Sequence, residues 1–305
     1  MPDDTLNIVT GACGYSGRYI TRLLLAAGQS VRTLTGHPDR PNPFGDQVPA
    51  LPLSFDDPDR LAKSLEGADT LFNTYWVRFE HKSTTFAQAV SNSRTLIQSA
   101  AKAGLRRIVH ISITNPDPNS DLPYFAGKAA VEQLIRQSAL SYAILRPTVL
   151  FGGQDILINN IAWMLRHFPI FVVPGNGTGR LQPIHVEDLA DLAVRSAKSQ
   201  ENIVLDAVGP EVFSFDQMVR LVRKTFRSKT LIMRLPARLA LLLSGAVGLL
   251  FGDVTLTSDE VKGLAANLLV SHAPPTATTK LSDYLLRNRD SVGRQYHNEL
   301  KRHFS

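Results

Sequence analysis

Cysteine is almost missing from this 305-residue chain: Cys13 stands alone, so no intrachain disulfide can form. A single thiol fits a reducing compartment, and a cytoplasmic location is expected. A strand pattern begins almost at once, so no secretory leader is expected either. No apolar run reaches membrane-spanning length. The most apolar stretch, Leu239 to Gly252, is too short to cross a bilayer as a straight helix. It reads first as a buried helix of a globular domain. A membrane-surface contact is the alternative, because Arg234 and Arg238 flank it. Stable membrane insertion is not expected. Lysines and arginines are scattered, the net charge is only +6, and no basic stripe appears, which argues against a nucleic-acid partner. No internal repeat is evident, and no metal site is expected. With 44% hydrophobic and 20% charged residues, the chain can bury one large core or two unequal ones.

What the chain does have begins at Leu6 to Gly17, LNIVTGACGYSG. Leu6, Ile8 and Val9 form a short apolar run, and Gly11, Gly14 and Gly17 follow at a spacing of three. Tyr19, Ile20, Leu23, Leu24 and Leu25 then recur at helical spacing. This is strand, glycine turn, helix. Residues without a Cβ let the backbone approach a pyrophosphate, and the helix N-terminus offers N–H groups and partial positive charge. A dinucleotide site is expected here, formed by Gly11, Cys13, Gly14, Tyr15, Ser16 and Gly17. Cys13 reads as a small residue filling the turn, although a helix N-terminus favours thiolate.

Further on, strand patterns alternate with helical ones. Strands are expected at Val31–Thr35, Asp69–Thr74, Arg107–Ser112 and Tyr142–Leu145. Helices are expected after Asp57-Pro58, over Thr84–Ala103 and over Pro123–Ser138. Such alternation with short connections implies a parallel sheet covered on both faces. After Phe151 the rhythm changes. Helices are expected at Asp155–His167, at Val186–Ala197 and from Ser214 to Phe226, with mostly helical chain from Leu235 onward. The expected organisation is a dinucleotide-binding domain over 1–150, rejoined by 181–206, and a cap over the rest of 151–305.

Tyr124 and Lys128 lie four apart on the helix after the strand RIVHIS, which puts them on one helical face. A phenol with an ordinary pKa near 10 is drawn toward phenolate by a neighbouring ammonium. Such a tyrosine can pass a proton to or from a carbonyl or hydroxyl.

Together these motifs resemble the short-chain dehydrogenase/reductase superfamily, in its extended or atypical branch. The resemblance covers residues 5 to about 200 and rests on TGACGYSG, YFAGK, LRPTVLFG and QPIHVEDLA. The last two, with the DILINN segment between them, look most like the atypical group containing the complex I accessory subunit of that fold, with NmrA-like and triphenylmethane-reductase-like proteins near in architecture. The resemblance implies a Rossmann-type doubly wound α/β domain binding NAD or NADP, and a smaller, mostly helical C-terminal substrate domain. It also implies Tyr124 as acid/base, Lys128 on the nicotinamide ribose and a hydroxyl residue on the substrate oxygen. For the last, Ser112 is favoured over Thr114. Pro147, Thr148 and Val149 match the turn beside the nicotinamide. Asn73, Thr74 and Tyr75 stand where the cofactor passes, and Ser54 and Phe55 where adenine binds. His185 and Asp188 match the start of a helix, Asp188 as a charge near its N-terminus. By position in the family, Asn159, Asn160, Trp163 and Arg180 line the substrate pocket.

Two departures stand out. Tyr75-Trp76 follows the third strand, where many extended members carry small residues; the two rings either narrow the pocket, stack on a ligand, or fill core. At the end of the second strand Thr35 and Gly36 replace the carboxylate that would hold the ribose of NAD, while His37 and Arg40 offer positive charge. This leans toward NADP. The expected function is an NAD(P)-dependent oxidoreductase acting on a small-molecule carbonyl or alcohol, as a monomer or homodimer. An epimerase or dehydratase, or a non-catalytic NAD(P)H-binding sensor or assembly protein, are the alternatives.

Overall fold

The computed structural model describes residues 5–81, 83–254 and 256–304. In chain order the elements are β1 (Leu6–Thr10), α1 (Tyr15–Ala26), β2 (Ser30–Thr35), β3 (Ala50–Pro52), α2 (Pro58–Leu65), β4 (Thr70–Asn73), α3 (Phe86–Lys102), β5 (Arg107–Ile111), α4 (Pro123–Arg136) and β6 (Ser141–Pro147). There follow β7 (Leu150–Phe151), α5 (Leu157–His167), β8 (Ile170–Pro174), β9 (Arg180–Leu181), β10 (Ile184–His185), α6 (Val186–Ala197) and β11 (Ile203–Ala207). Last come β12 (Phe213–Ser214), α7 (Phe215–Thr225), β13 (Leu231–Leu235), α8 (Ala237–Phe251), α9 (Ser258–Ala265), α10 (Leu281–Arg287) and α11 (Glu299–Phe304).

The chain divides into two compact units. One holds the residues up to Pro147 with Glu187–Ala207; the other holds Thr148–Val186 with the residues from Val208 on. The first is built on a seven-stranded sheet in the order β11-β6-β5-β4-β1-β2-β3, every pair parallel. Strands covered on both faces carry apolar residues on both, as Ile8 and Val9 do in β1 and Ile108 and Val109 in β5. On one face Ile8, Leu34, Leu71, Ile108 and Ile144 pack against Leu61 and Leu65 of α2, Leu96 of α3, and Val131 and Ile135 of α4. Period two sends the equally buried Val9, Phe72 and Val109 to the opposite face. Helix ends follow local chemistry. Asp57 caps α2 by accepting from Arg60 N, with Pro58 behind it, and Thr85 caps α3 by accepting from Gln88 N.

In the second unit Phe151, Ile161 and Leu165 meet Phe171 and Val173 of β8, Met218 and Val222 of α7, and Leu285 of α10. Ser214 and Gln217 form a capping box at the start of α7. One expectation fails here. Leu239–Gly252 is a helix, but not a buried one: within α8 only Ala240 and Gly248 are buried, while Leu242 is 71%, Leu249 88% and Leu250 75% exposed. The covered side is lined by small residues, and the leucines point outward.

Arg107 ties the returning segment to the first sheet. It is fully buried at the start of β5. Its Nε donates to Ser196 O at 3.0 Å, its Nη2 to Glu201 O at 2.9 Å and its Nη1 to Ser141 Oγ at 3.3 Å. Burial, then the nearby Arg106, holds its pKa below the usual guanidinium range. Charge-assisted bonds of this kind are each worth about 1.5–3 kcal/mol, so Arg107→Ala should cost about 3 kcal/mol or more in urea unfolding. A loss within ~0.5 kcal/mol would show that these bonds do not hold the segment.

Candidate functional site

The strand order reverses between β1 and β4: β2 and β3 lie to one side of β1, and β4, β5 and β6 to the other. The connections that leave the carboxyl ends of β1 and β4 therefore lead to strands on opposite sides, which is where open parallel sheets bind ligands. Thr10 pins the two exits together. Its Oγ1 accepts from Thr74 N at 2.8 Å and Tyr75 N at 3.1 Å, and Thr74 Oγ1 donates back to Thr10 O. Beyond Thr10 the chain turns at Gly11, whose φ of +67° suits glycine. Gly11 N donates to Leu34 O, Ala12 N to Thr33 Oγ1 and Gly14 N to Gly11 O. A Cβ on Gly17 would lie 2.2 Å from Gly11 O, and one on Gly14 would lie 3.0 Å from the same atom. The spacing of three glycines thus lets α1 start against the turn. Gly14 stands at the N-cap with no side-chain cap, and no acidic residue occupies the first turn. Cys13 and Gly14 are exposed. An open turn and an uncapped helix start form a cradle that fits a pyrophosphate. Partial burial pushes the Cys13 thiol up, against the pull of Arg18.

At the end of β2, Thr35 Oγ1 accepts from His37 N, and the exposed His37, Asp39 and Arg40 follow. No carboxylate stands at 35 or 36. Leu53 N donates to Thr35 O, which brings Ser54 and Phe55 beside that end. The Phe55 ring lies 5.0 Å from that of Tyr75, whose hydroxyl accepts from Asn92 Nδ2 at 2.9 Å. Burial raises the Tyr75 phenol above its ordinary range, opposed by Asn92, so it remains neutral.

On α4 the spacing extends to three residues, Tyr124, Lys128 and Glu132. Lys128 is buried; its Nζ donates to Ile111 O at 2.8 Å and lies 4.8 Å from the Trp76 ring centre. The Tyr124 ring meets Trp76 edge-on at 6.0 Å and Phe86 at 5.8 Å. Trp76 also fills the space left by Gly127, where a Cβ would lie 2.9 Å from it. Of the readings of Trp76, core filling between α3 and α4 accounts for these contacts. Burial pushes Lys128 down to about 7, against the charge of Glu132. Next to it, Asn73 Oδ1 accepts from Tyr75 N, so Asn73 Nδ2 faces His110 Nδ1 at 3.1 Å. His110 therefore carries its proton on Nε2. Burial, then the Lys128 charge, keeps this imidazole neutral, well below its ordinary range.

Glu132 and Arg146 were not singled out from the sequence, although Glu132 lies four residues after Lys128. Arg146 donates to Glu132 through Nε at 2.9 Å and Nη2 at 2.6 Å. Ser112 Oγ donates to Glu132 Oε1 at 2.6 Å. Thr114 Oγ1 donates to Arg146 O at 2.9 Å, and the Ser112 and Thr114 N–H groups pair with Leu145 O and Pro147 O. Both hydroxyl protons are thus engaged by the protein.

The remaining residues belong to the second unit, save Pro147. Thr148 Oγ1 donates to Gln182 O, and Val149 O accepts from Ile184 N. The buried Asn159 bonds Gly153 O, Asp155 Oδ2 and Gly293 N, and Asn160 makes a reciprocal pair with the backbone of His297. Trp163 stacks on His167 at 4.6 Å and meets Phe168, Phe251 and Tyr296 edge-on. Arg180 is exposed. The polar groups of Asn159 and Asn160 are spent on the fold.

The lowered pKa of Lys128 links stability to pH. Between about 7 and 10.5 the folded chain keeps this amine neutral while the unfolded chain binds its proton. The unfolded state therefore binds more protons, and stability should rise with pH across that window. Lys128→Met should flatten the rise, seen as urea midpoints at neutral and alkaline pH. Equal slopes for the two proteins would contradict the buried-amine account.

Mitochondrial NADH dehydrogenase (ubiquinone) 1 alpha subcomplex subunit 9 of Arabidopsis thaliana is 25% identical over 243 residues, 76% of this chain and 60% of the relative. The chain thus spans about three fifths of that relative's length. The Mus musculus protein of that name is 25% identical over 295 residues, covering 90% of this chain and 74% of its own. Among solved structures, an Escherichia coli NADPH-dependent quinone oxidoreductase complexed with NADPH superposes with a TM-score of 0.76 at 19% identity, over 93% of this chain and all of that one. Triphenylmethane reductase from Citrobacter sp. gives 0.74 at 16% identity, over 92% of this chain and 99% of its own. At these identities the superpositions show the Rossmann-type fold alone. The NAD(P)H-binding family model matches residues 11–200, which carry the glycine turn, the switch point and α4, and the chain belongs to that family.

Proposed function

We propose that the protein is an NAD(P)H-dependent oxidoreductase acting on a small-molecule carbonyl or alcohol. The observation that carries this reading is the placement of Lys128. Its Nζ sits 2.8 Å from Ile111 O, at the carboxyl end of β5, on the same helical face as Tyr124. With a pKa of about 7, Lys128 can hold or release a proton near neutrality. Tyr124 is held by the rings of Trp76 and Phe86, which leaves little rotational freedom to its phenol. Bound dinucleotide supplies the hydride donor or acceptor; the protein supplies position and proton. Tyr124 passes the proton to or from the substrate oxygen. Ser112 is the third member of the proposal. With its proton given to Glu132, it presents lone pairs, suited to an alcohol O–H.

NADPH is the proposed preference, supported by the absence of a carboxylate at Thr35 and Gly36 and by the exposed His37 and Arg40. A second reading, an NAD(P)H-binding subunit without turnover, is favoured by two observations. The Arabidopsis and mouse relatives are named as subunits, and the Ser112 and Thr114 hydroxyl protons are already engaged.

Tyr124→Phe separates the two readings. It removes only the hydroxyl, so NADPH affinity should hold while NADPH oxidation against a panel of quinones, aldehydes and ketones falls by ~100-fold to 10,000-fold. Full activity in the variant would remove the acid/base role. For cofactor choice, Thr35→Asp should shift the ratio of NADPH to NADH affinity toward NADH by at least about tenfold, because a carboxylate repels the 2′-phosphate. A wild-type protein that strongly prefers NADH would contradict the NADPH assignment.

A further inference from the structure

Helix α8 presents its apolar residues to the outside. Arg238, Leu239, Leu242, Leu243, Leu249 and Leu250 are exposed, spaced so that they share one helical face. From Leu239 to Leu250 this stripe runs about 16 Å, long enough to lie in a membrane surface and too short to span a bilayer. Its exposure is built in by packing. On the covered side Ala240 and Gly248 are buried, and a Cβ on Gly248 would lie 2.5 Å from Asp253 O. At the C-terminal end Phe251 packs on Trp163 and Tyr296, while Asp253 accepts from Tyr296 Oη, Glu299 N and Leu300 N. The helix is fixed by that side and that end, so the leucines cannot turn inward.

The chain leading into α8 carries charge of one sign, while the acidic residues at its other end, Asp253 and Glu299, are buried. Between Asp216 and Asp253 the sequence holds no acidic residue and seven basic ones. Asp216 pairs with two of them, Arg220 and Arg234; the other five have no carboxylate partner among the described residues. β13 leads into α8 through Pro236 and adds the exposed Leu231 and Met233.

We propose that the leucine face of α8, with Arg238 at its N-terminal end and Leu231 and Met233 of β13 nearby, seats the protein on the surface of an anionic phospholipid bilayer. Aliphatic side chains with Arg238 at their N-terminal end, after a chain segment whose charged residues are all basic, match a layer of acyl chains beneath anionic headgroups. A protein partner fits less well. From Leu239 to Phe251 the exposed side chains are leucine and alanine, with none of the aromatic anchors and hydrogen-bonding groups that protein interfaces carry. A two-fold dimer through this face would bring a like-charged segment against its own copy.

Co-sedimentation of the full chain with vesicles tests this, using phosphatidylcholine with phosphatidylglycerol and phosphatidylcholine alone. The mixed vesicles should bind at least about tenfold more strongly, and added salt should reduce the difference. Replacing Leu242, Leu249 and Leu250 together by Glu should lower binding by more than about 100-fold, and Arg238→Glu by about fivefold. NADPH affinity should be unchanged in both variants. If the triple variant does not fold, Leu249→Trp serves instead; its emission should shift to the blue on the mixed vesicles. The proposal is overturned if the wild type stays in solution with both vesicles, if the triple variant binds as well as the wild type, or if the added tryptophan shows no shift. A wild-type dimer that the leucine substitutions dissociate, with no vesicle binding, would assign the face to a second copy and equally overturn it.

Discussion

The carbonyl oxygen of Gly11 occupies the space that a side chain at position 17 would need, 2.2 Å from where its Cβ would stand. This close approach lets α1 begin against the end of β1, and the rest of the site follows from it. Gly11 at positive φ turns the chain back, Gly14 stands open at the helix start, and Leu34 O and Thr33 Oγ1 hold the turn to β2. A methyl group at position 17 would push helix from strand and close the space a pyrophosphate needs. Stability and binding at this turn therefore rest on the same missing atoms.

A second constraint lies along α4, where apolar packing and buried charge oppose each other. Lys128 is taken out of water by Trp76 and the sheet and keeps one carbonyl partner, so its charged form is disfavoured. Glu132, one helical turn on, is buried too, but it has Arg146 across two short hydrogen bonds and Ser112 across a third. The paired carboxylate is a structural anchor for β5, α4 and β6; the amine, with a single carbonyl partner, is the end of the row to which the proposed chemistry is assigned. One helix face thus runs from the phenol through a tunable amine to a fixed ion pair.

Much of this was legible in the sequence where the information is local. The glycine turn reads directly because strand, turn and helix lie within about twenty residues and each glycine answers a backbone need. The spacing of Tyr124 and Lys128 reads from helical geometry alone. The spacing from Lys128 to Glu132 was equally visible, but a buried role for that carboxylate depends on Arg146, which only the sheet brings near. β8, β11 and β13 escaped notice because short strands acquire their identity from partners distant in sequence. Asn159 and Asn160 look like pocket residues by position, yet their amides hold Gly293 and His297 in place. The leucines of α8 mislead for another reason: apolar composition reports the cost of exposure, not which side of a helix is covered.

The central claim, that the turn from Gly11 to Gly17 cradles the pyrophosphate of a dinucleotide, is tested most directly by titrating NADPH into wild type and Gly14→Val while following nucleotide fluorescence. Wild type should saturate at micromolar nucleotide. The variant, whose Cβ would stand 3.0 Å from Gly11 O, should unfold at a lower temperature and, titrated well below that transition, lose affinity by at least about 100-fold. No wild-type saturation at millimolar NADPH or NADH, or equal affinity in the two proteins, would contradict the account.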